Sequence, residues 1–113
     1  REYRIPVEDH GKDVIIRANS AVTATENILM MAAFRKGKTT IELAAIEPHV
    51  MNLIEFLRSL GVKVDVDYKH NIVIYGSIID RKYAEMTVIH DYIESGTFVV
   101  LGALTAEPSI RIE

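Results

Sequence analysis

The chain predicts an α/β fold of two layers, with helices packed on a single sheet of mixed strand direction. Three observations carry this. Short β-branched runs alternate with helix-forming stretches, one stretch repeats its apolar residues with helical period, and two apolar runs alternate as strands across a polar turn.

Residues 13–17, "DVIIR", follow Gly11 and read as the first strand. In "TATE", Thr23 and Glu26 have capping-box spacing, in which the hydroxyl takes a first-turn amide and the carboxylate reaches back to the cap. That predicts a helix over 24–36, ended by Gly37. Residues 39–43 form the next strand candidate. Glu47 and Pro48 then open a helix over 48–60, with proline at its first position and Val50, Leu53, Ile54, Leu57 and Leu60 along one face. Strands over 62–66 and 72–75, joined by the polar turn 67–71, make an antiparallel hairpin, whereas βαβ crossovers give parallel pairs. Leu53, Leu57 and Phe34 are the expected core residues.

After Gly76 the pattern restarts: a strand over 86–89, a cap at Ser95 or Thr97, a helix over 96–105 and a strand over 109–112. Sliding the chain on itself by a constant 70 residues places Leu29 on Val99, Met31 on Leu101, Ala32 on Gly102, Ala33 on Ala103 and Phe34 on Leu104. Residues 11–76 therefore read as one complete βαβαββ unit, and 83–113 as the first half (βαβ) of a second. The segment 98–104 is apolar nearly all round and is expected to be buried. Arg1 in place of an initiator methionine, and a strand-like run at the other end, point to a piece of a longer polypeptide.

Composition removes several function classes. With 113 residues and 49% hydrophobic content, the chain is one domain with enough apolar surface for a core. Its 13 basic and 16 acidic residues are interspersed, for a net charge of −3, so neither nucleic acid nor an anionic membrane is favoured as partner. No cysteine is present, which excludes a thiol nucleophile and thiolate metal sites. The four histidines, at 10, 49, 70 and 90, match no metal-ligand spacing. No apolar run approaches the roughly 20 residues that cross a bilayer, so a cytoplasmic location is expected.

Three separated blocks, "AVTATENILMMAA", "TTIELAAIEPHVMNLIEFLRSLGVKV" and "VIHDYIESGTFVVLGALT", resemble the UDP-N-acetylglucosamine 1-carboxyvinyltransferase family of enolpyruvyl transferases. The resemblance implies an inside-out α/β domain built from βαβαββ units, of which this chain would hold about one and a half of six. It also implies transfer of the enolpyruvyl group of phosphoenolpyruvate to UDP-N-acetylglucosamine in cell-wall peptidoglycan synthesis, without a cofactor. In the family, the loop matching Asn19, Ser20, Ala21, Val22 and Thr23 runs along the UDP-sugar. This chain departs from it at Ala21 and Thr23, where the family usually has serine and glycine. The family's basic catalytic residues and its mobile loop lie outside the matched segment, so no catalytic residue is assigned and the chain alone is expected to be inactive.

In "HDYIESGTF", Asp91 and Glu94 have a spacing that places both carboxylates at one end of the third helix, as candidate cleft residues or as first-turn charges. The family carries arginine at the position of Tyr92 and proline at that of His90, and tyrosine does not replace a guanidinium fork. Glu47 matches an acidic cleft position of the family, but the reading favoured for it is a first-turn carboxylate of the second helix. Two further readings stand beside the transferase: a non-catalytic repeat module that associates into a homo-oligomer through its open edges, and a distant RNA 3′-phosphate cyclase-like domain.

Overall fold

A computed structural model of the protein describes residues 11–79, 83–105, 109 and 111. Its elements are β1 (Val14–Arg17), α1 (Val22–Phe34), β2 (Gly37–Glu42), α2 (Pro48–Ser59), β3 (Lys63–Val66), β4 (Ile72–Gly76) and α3 (Tyr92–Leu104). The four strands form one sheet in the order β1-β2-β4-β3. β1 runs parallel to β2, with Ile16 opposite Ile41, and β4 is antiparallel to both β2 and β3. Hence β3 points the same way as β2, and the crossover through α2 skips the place that β4 fills.

Alternation along the strands sends Thr39, Ile41, Val64, Ile72 and Ile74 to the covered face. On that face α1 packs against β2 and β4, and α2 packs against β3 and α1. Leu29, Ala32 and Ala33 of α1 and Val50, Ile54 and Leu57 of α2 complete the core, with Leu53 partly buried beside it.

α2 shows how local chemistry places an element. Pro48 stands at its start, where a missing N–H costs nothing. At its end Gly61 takes φ +94°, and the N–H groups of Gly61 and Val62 donate to the carbonyls of Arg58 and Leu57. This is a Schellman stop, which needs a left-handed residue and so favours glycine. The guanidinium of Arg58 then donates twice to the Val64 carbonyl, at 3.0 and 2.7 Å, fixing the helix end to β3. At the same end of the sheet Gly76 lets β4 touch α1, because a Cβ there would collide with the Arg35 carbonyl and lie 2.5 Å from that of Ala32.

Several expectations need correction. α1 begins at Val22 rather than 24 and ends at Phe34, because Arg35 is already extended and Gly37 opens β2. Phe34 is 69% exposed, since Thr25, Leu29, Ala32 and Ala33 define the inward face and Phe34 lies off it. Residues 86–89 form no strand: their β-branched composition fits one, but a strand requires a partner, and the backbone bond recorded there is a long one from Ile89 N–H to the Asn52 side chain of α2, 3.4 Å. Ser109 and Arg111 likewise lie in no strand, and the rest of 109–112 is outside the described residues. α3 begins at Tyr92, not 96, and none of its residues is buried. Among the described residues its contact with another helix or strand is confined to its first turn, where Tyr92 stacks on His49 of α2, which is why its apolar composition does not bring burial.

Candidate functional site

The strands β1 and β2 end side by side, at the pair Arg17 and Glu42, whose side chains meet at 3.4 Å. The loops leaving them are stitched together: the N–H groups of Ala18 and Ser20 donate to the carbonyls of Glu42 and Leu43, at 2.9 and 2.6 Å. The β3–β4 turn joins the same rim through the N–H of Ala44, which donates to the His70 carbonyl at 2.7 Å. That turn is held by Asp67, whose carboxylate accepts from the N–H groups of Lys69 and Asn71 and from the Asn71 side chain. The Asn71 donors keep its carboxyl below the usual 3.8.

All the non-glycine residues with left-handed backbone among the described ones gather here: Asn19 (φ 53°), Ser20 (φ 56°), Leu43 (φ 49°) and His70 (φ 60°). Asparagine tolerates that region and leucine does so rarely, so the rim holds backbone in conformations that the surrounding bonds enforce. The end of a sheet beyond the carboxyl ends of its parallel strands is also where open α/β folds place ligands.

Of the five predicted loop residues, Asn19, Ser20 and Ala21 form the exposed turn and Val22 and Thr23 are the first two residues of α1. The capping box is absent. Ala21 is the N-cap and has no side-chain acceptor, so it makes no side-chain capping bond to the first amides of α1. Thr23 is exposed within the helix, and its carbonyl accepts from the Asn27 side chain at 2.9 Å. Thr25 is the hydroxyl that matters: fully buried, it donates to the Ala21 carbonyl at 2.9 Å and accepts from the Ala45 N–H at 3.0 Å, joining α1 to the β2–α2 loop.

The start of α2 lies beside this loop. Glu47 is its N-cap, makes no capping bond with its side chain, and keeps Oε2 buried without a hydrogen-bond partner. Glutamate one residue before proline is a weak signal in sequence, and its half-buried, unpaired oxygen is visible only in three dimensions. Two residues on, His49 brings Nε2 to 3.9 Å from Glu26 of α1 and stacks on Tyr92 of α3, with ring centroids 6.0 Å apart and planes at 12°. The stack places the first turns of α2 and α3 next to each other.

Asp91 is the N-cap of α3, accepting from the N–H groups of Ile93 and Glu94 at 2.8 and 3.2 Å, which displaces Ser95 and Thr97 from that role. Glu94 is exposed in the first turn. Asp91 also borders a groove of about 740 Å³ between α2 and the segment leading to α3, walled by Leu53, Phe56, Met86 and Val88, with His49 and His90 also in its lining. Glu94 does not line it. Among the described residues no group of three or more acidic or histidine side chains is arranged to hold a metal ion.

Comparison with known proteins places these features in a family. Residues 2–113 match the family model of EPSP synthase (3-phosphoshikimate 1-carboxyvinyltransferase). The chain is 46% identical over 85 residues to UDP-N-acetylglucosamine 1-carboxyvinyltransferase 1 of Clostridium perfringens, covering 75% of this chain and 20% of that protein. It is 46% identical over 94 residues to UDP-N-acetylglucosamine 1-carboxyvinyltransferase of Nitratiruptor sp., covering 80% and 22%. With that of Helicobacter hepaticus it shares 42% over 104 residues, covering 91% and 24%. The chain thus spans about a fifth of the length of the relatives it matches. A mixed sheet carrying helices on one face, a family match across almost every residue and this level of identity lead to one conclusion: the chain belongs to the EPSP synthase family of carboxyvinyl transferases.

Proposed function

We propose that this chain is a segment of a UDP-N-acetylglucosamine 1-carboxyvinyltransferase, acting with the rest of such an enzyme on phosphoenolpyruvate and UDP-N-acetylglucosamine in cytoplasmic peptidoglycan synthesis. Residues 11–76 make one complete repeat unit, and 83–113 contribute the first half of a second. Asn19, Ser20, Ala21, Val22 and Thr23 are the stretch that lies along the sugar nucleotide, with Asp91 and Glu94 as carboxylates of the same cleft. The observation that carries the reading is the rim after β1: left-handed Asn19 and Ser20 turn the chain into α1, whose N-cap Ala21 offers its first amides no side-chain acceptor. Uncapped N–H groups at the positive end of a helix suit a phosphate or hydroxyl-rich ligand.

Magnitudes assign the chain a contributing role. A helix terminus supplies at most ~2 kcal/mol toward an anion, whereas micromolar affinity requires about 8 kcal/mol. Catalysis of acyl or enolpyruvyl chemistry also needs fixed cationic groups around the developing charge, and the described Lys and Arg residues at this rim are Arg17, already paired with Glu42, and Lys69, exposed on the β3–β4 turn. The isolated chain should therefore bind UDP-N-acetylglucosamine no more tightly than millimolar, with no turnover.

The test is a chimera in which residues 11–76 replace the matching segment of the Clostridium perfringens relative. Turnover of both substrates by the chimera, improved when Ala21→Ser and Thr23→Gly restore the family's residues, is the expected result. A folded chimera that no longer binds the sugar nucleotide, before and after those two reversions, would overturn the reading.

A further inference from the structure

His49, Asn52, Leu53 and Phe56 stand at i, i+3, i+4 and i+7 and make one stripe along α2, the stripe that lines the groove. Two of them meet the segment that leads into α3. The Ile89 N–H donates to the Asn52 side chain at 3.4 Å, and the Tyr92 ring stacks on that of His49. From Ile89 to Tyr92 the segment advances three residues while its partner on α2 steps back three, so it runs antiparallel along the stripe. Elsewhere the two are held apart: Met86 and Val88 share with Leu53 and Phe56 the walls of an open groove, and α3 buries none of its residues.

We infer that His49 is a positioning residue, whose stack on Tyr92 fixes the first turn of α3, and with it the Asp91 carboxylate, against the first turn of α2. The imidazole serves two neighbours at once. Its face lies along Tyr92, with centroids 6.0 Å apart, inside the ~4.5–7 Å over which aromatic rings attract. Its edge brings Nε2 to 3.9 Å from the Glu26 carboxylate, so the ring stands between α1 and α3. Asp91 follows Tyr92 because it is tied to the same turn, accepting from the N–H groups of Ile93 and Glu94. The other tie, at 3.4 Å, is a long hydrogen bond and places the segment before the helix, whereas the stack acts on the helix itself. Tyr92 stands where the family carries arginine, so in this chain a ring and not a guanidinium meets His49. What Asp91 then contributes in an assembled cleft rests on the proposed reading; the contact does not, and the chain by itself tests it.

Backbone N–H residual dipolar couplings of the labelled chain report how α3 is oriented on α1 and α2. In the parent, the couplings of all three helices should fit one alignment frame. A stacked pair favours the held arrangement by roughly two- to tenfold, so His49→Gln, which removes the ring, should lower the couplings of α3 by about half while those of α1 and α2 stay as they are. His49→Phe, which keeps a ring, should restore them. Amide exchange within α3 should match the parent in both variants, which separates loss of position from loss of the helix. A parent whose α3 does not share the frame of α1 and α2, a His49→Gln variant with unchanged couplings, or a His49→Phe variant that loses as much as His49→Gln would each overturn the inference.

Discussion

Thr25 and Ala45 are 20 residues apart in sequence and joined by one buried hydrogen bond, from the Ala45 N–H to the Thr25 hydroxyl at 3.0 Å. Both residues are at most 2% exposed, and the same hydroxyl donates onward to the Ala21 carbonyl. Replacing Thr25 by Val keeps the shape and strands the Ala45 N–H in the interior. That should cost ~1–3 kcal/mol, while Thr25→Ser, which keeps the acceptor, should cost less. Urea unfolding of the two variants measures the difference; equal stabilities would mean that the hydroxyl bond contributes nothing.

The two apolar side chains expected in the core separate sharply. Leu57 is 3% exposed and Phe34 69%. Leu57→Ala should lose ~2–5 kcal/mol, and Phe34→Ala should stay within about 0.5 kcal/mol of the parent. Thermal melts of both variants check this, and a large loss from Phe34→Ala would contradict the placement of α1.

Caps behave in the same divided way. Thr23 caps nothing, so Thr23→Ala should leave stability unchanged or raise it by a few tenths of a kcal/mol through helix propensity. Asp91 holds two first-turn amides of α3. Asp91→Ala should weaken that helix by ~0.5–2 kcal/mol, read as faster amide exchange across 92–104 with exchange in α1 and α2 unchanged.

Gly76 sits where α1 presents the carbonyls of Ala32 and Arg35 to β4. A methyl group at this place cannot fit without moving the helix end, so Gly76→Ala should cost ~1–3 kcal/mol. Gly96→Ala, where an added Cβ meets open space, serves as the control and should stabilise α3 slightly.

Acid should unfasten two exposed carboxylates. The Lys38 N–H and ammonium lower the pKa of Asp13, and the Asn71 donors lower that of Asp67, both from 3.8. A carboxyl whose folded pKa is depressed contributes stability above its unfolded value and loses it as pH falls through the folded one. Stability from these two groups is therefore constant at neutral pH and declines below about pH 4. Asp67→Ala and Asp13→Ala should each be less stable than the parent at pH 7 and approach it near pH 2. A gap that stays constant with pH would show that the effect is packing rather than protonation.

Much of the fold was legible because its signals are local. α2 carries its proline start, glycine stop and apolar face in consecutive residues, and the 62–75 hairpin carries its alternation and turn. What failed was whatever depends on a partner distant in sequence. Thr23 and Thr25 are both small hydroxyl residues near a helix start, and only the Ala45 N–H distinguishes the structural one. Residues 86–89 have the composition of a strand without an edge to join. The self-overlap at 70 residues led to the expectation of a helix after Gly76, and α3 lies there, yet cover is a property of neighbours, and composition alone cannot supply it. At the rim, residues 19–23 and Glu47 drew attention in sequence, while the unpaired Glu47 oxygen and the His49–Tyr92 stack emerged from geometry.

The position of β4 has a kinetic consequence. Among the described residues it is the last of four strands in sequence, and it occupies an interior place in the sheet, between β2 and β3. Until residues 72–76 arrive, β3 has no strand to pair with, and the β1–β2 pair exposes the inner edge of β2. Loop closure across β2 and β4 must come before most of the favourable contacts, which slows folding relative to a chain built from neighbours alone. Truncation within β4 would therefore remove the middle of the sheet rather than an edge, and partly made chains would show helix-forming segments but no stable sheet.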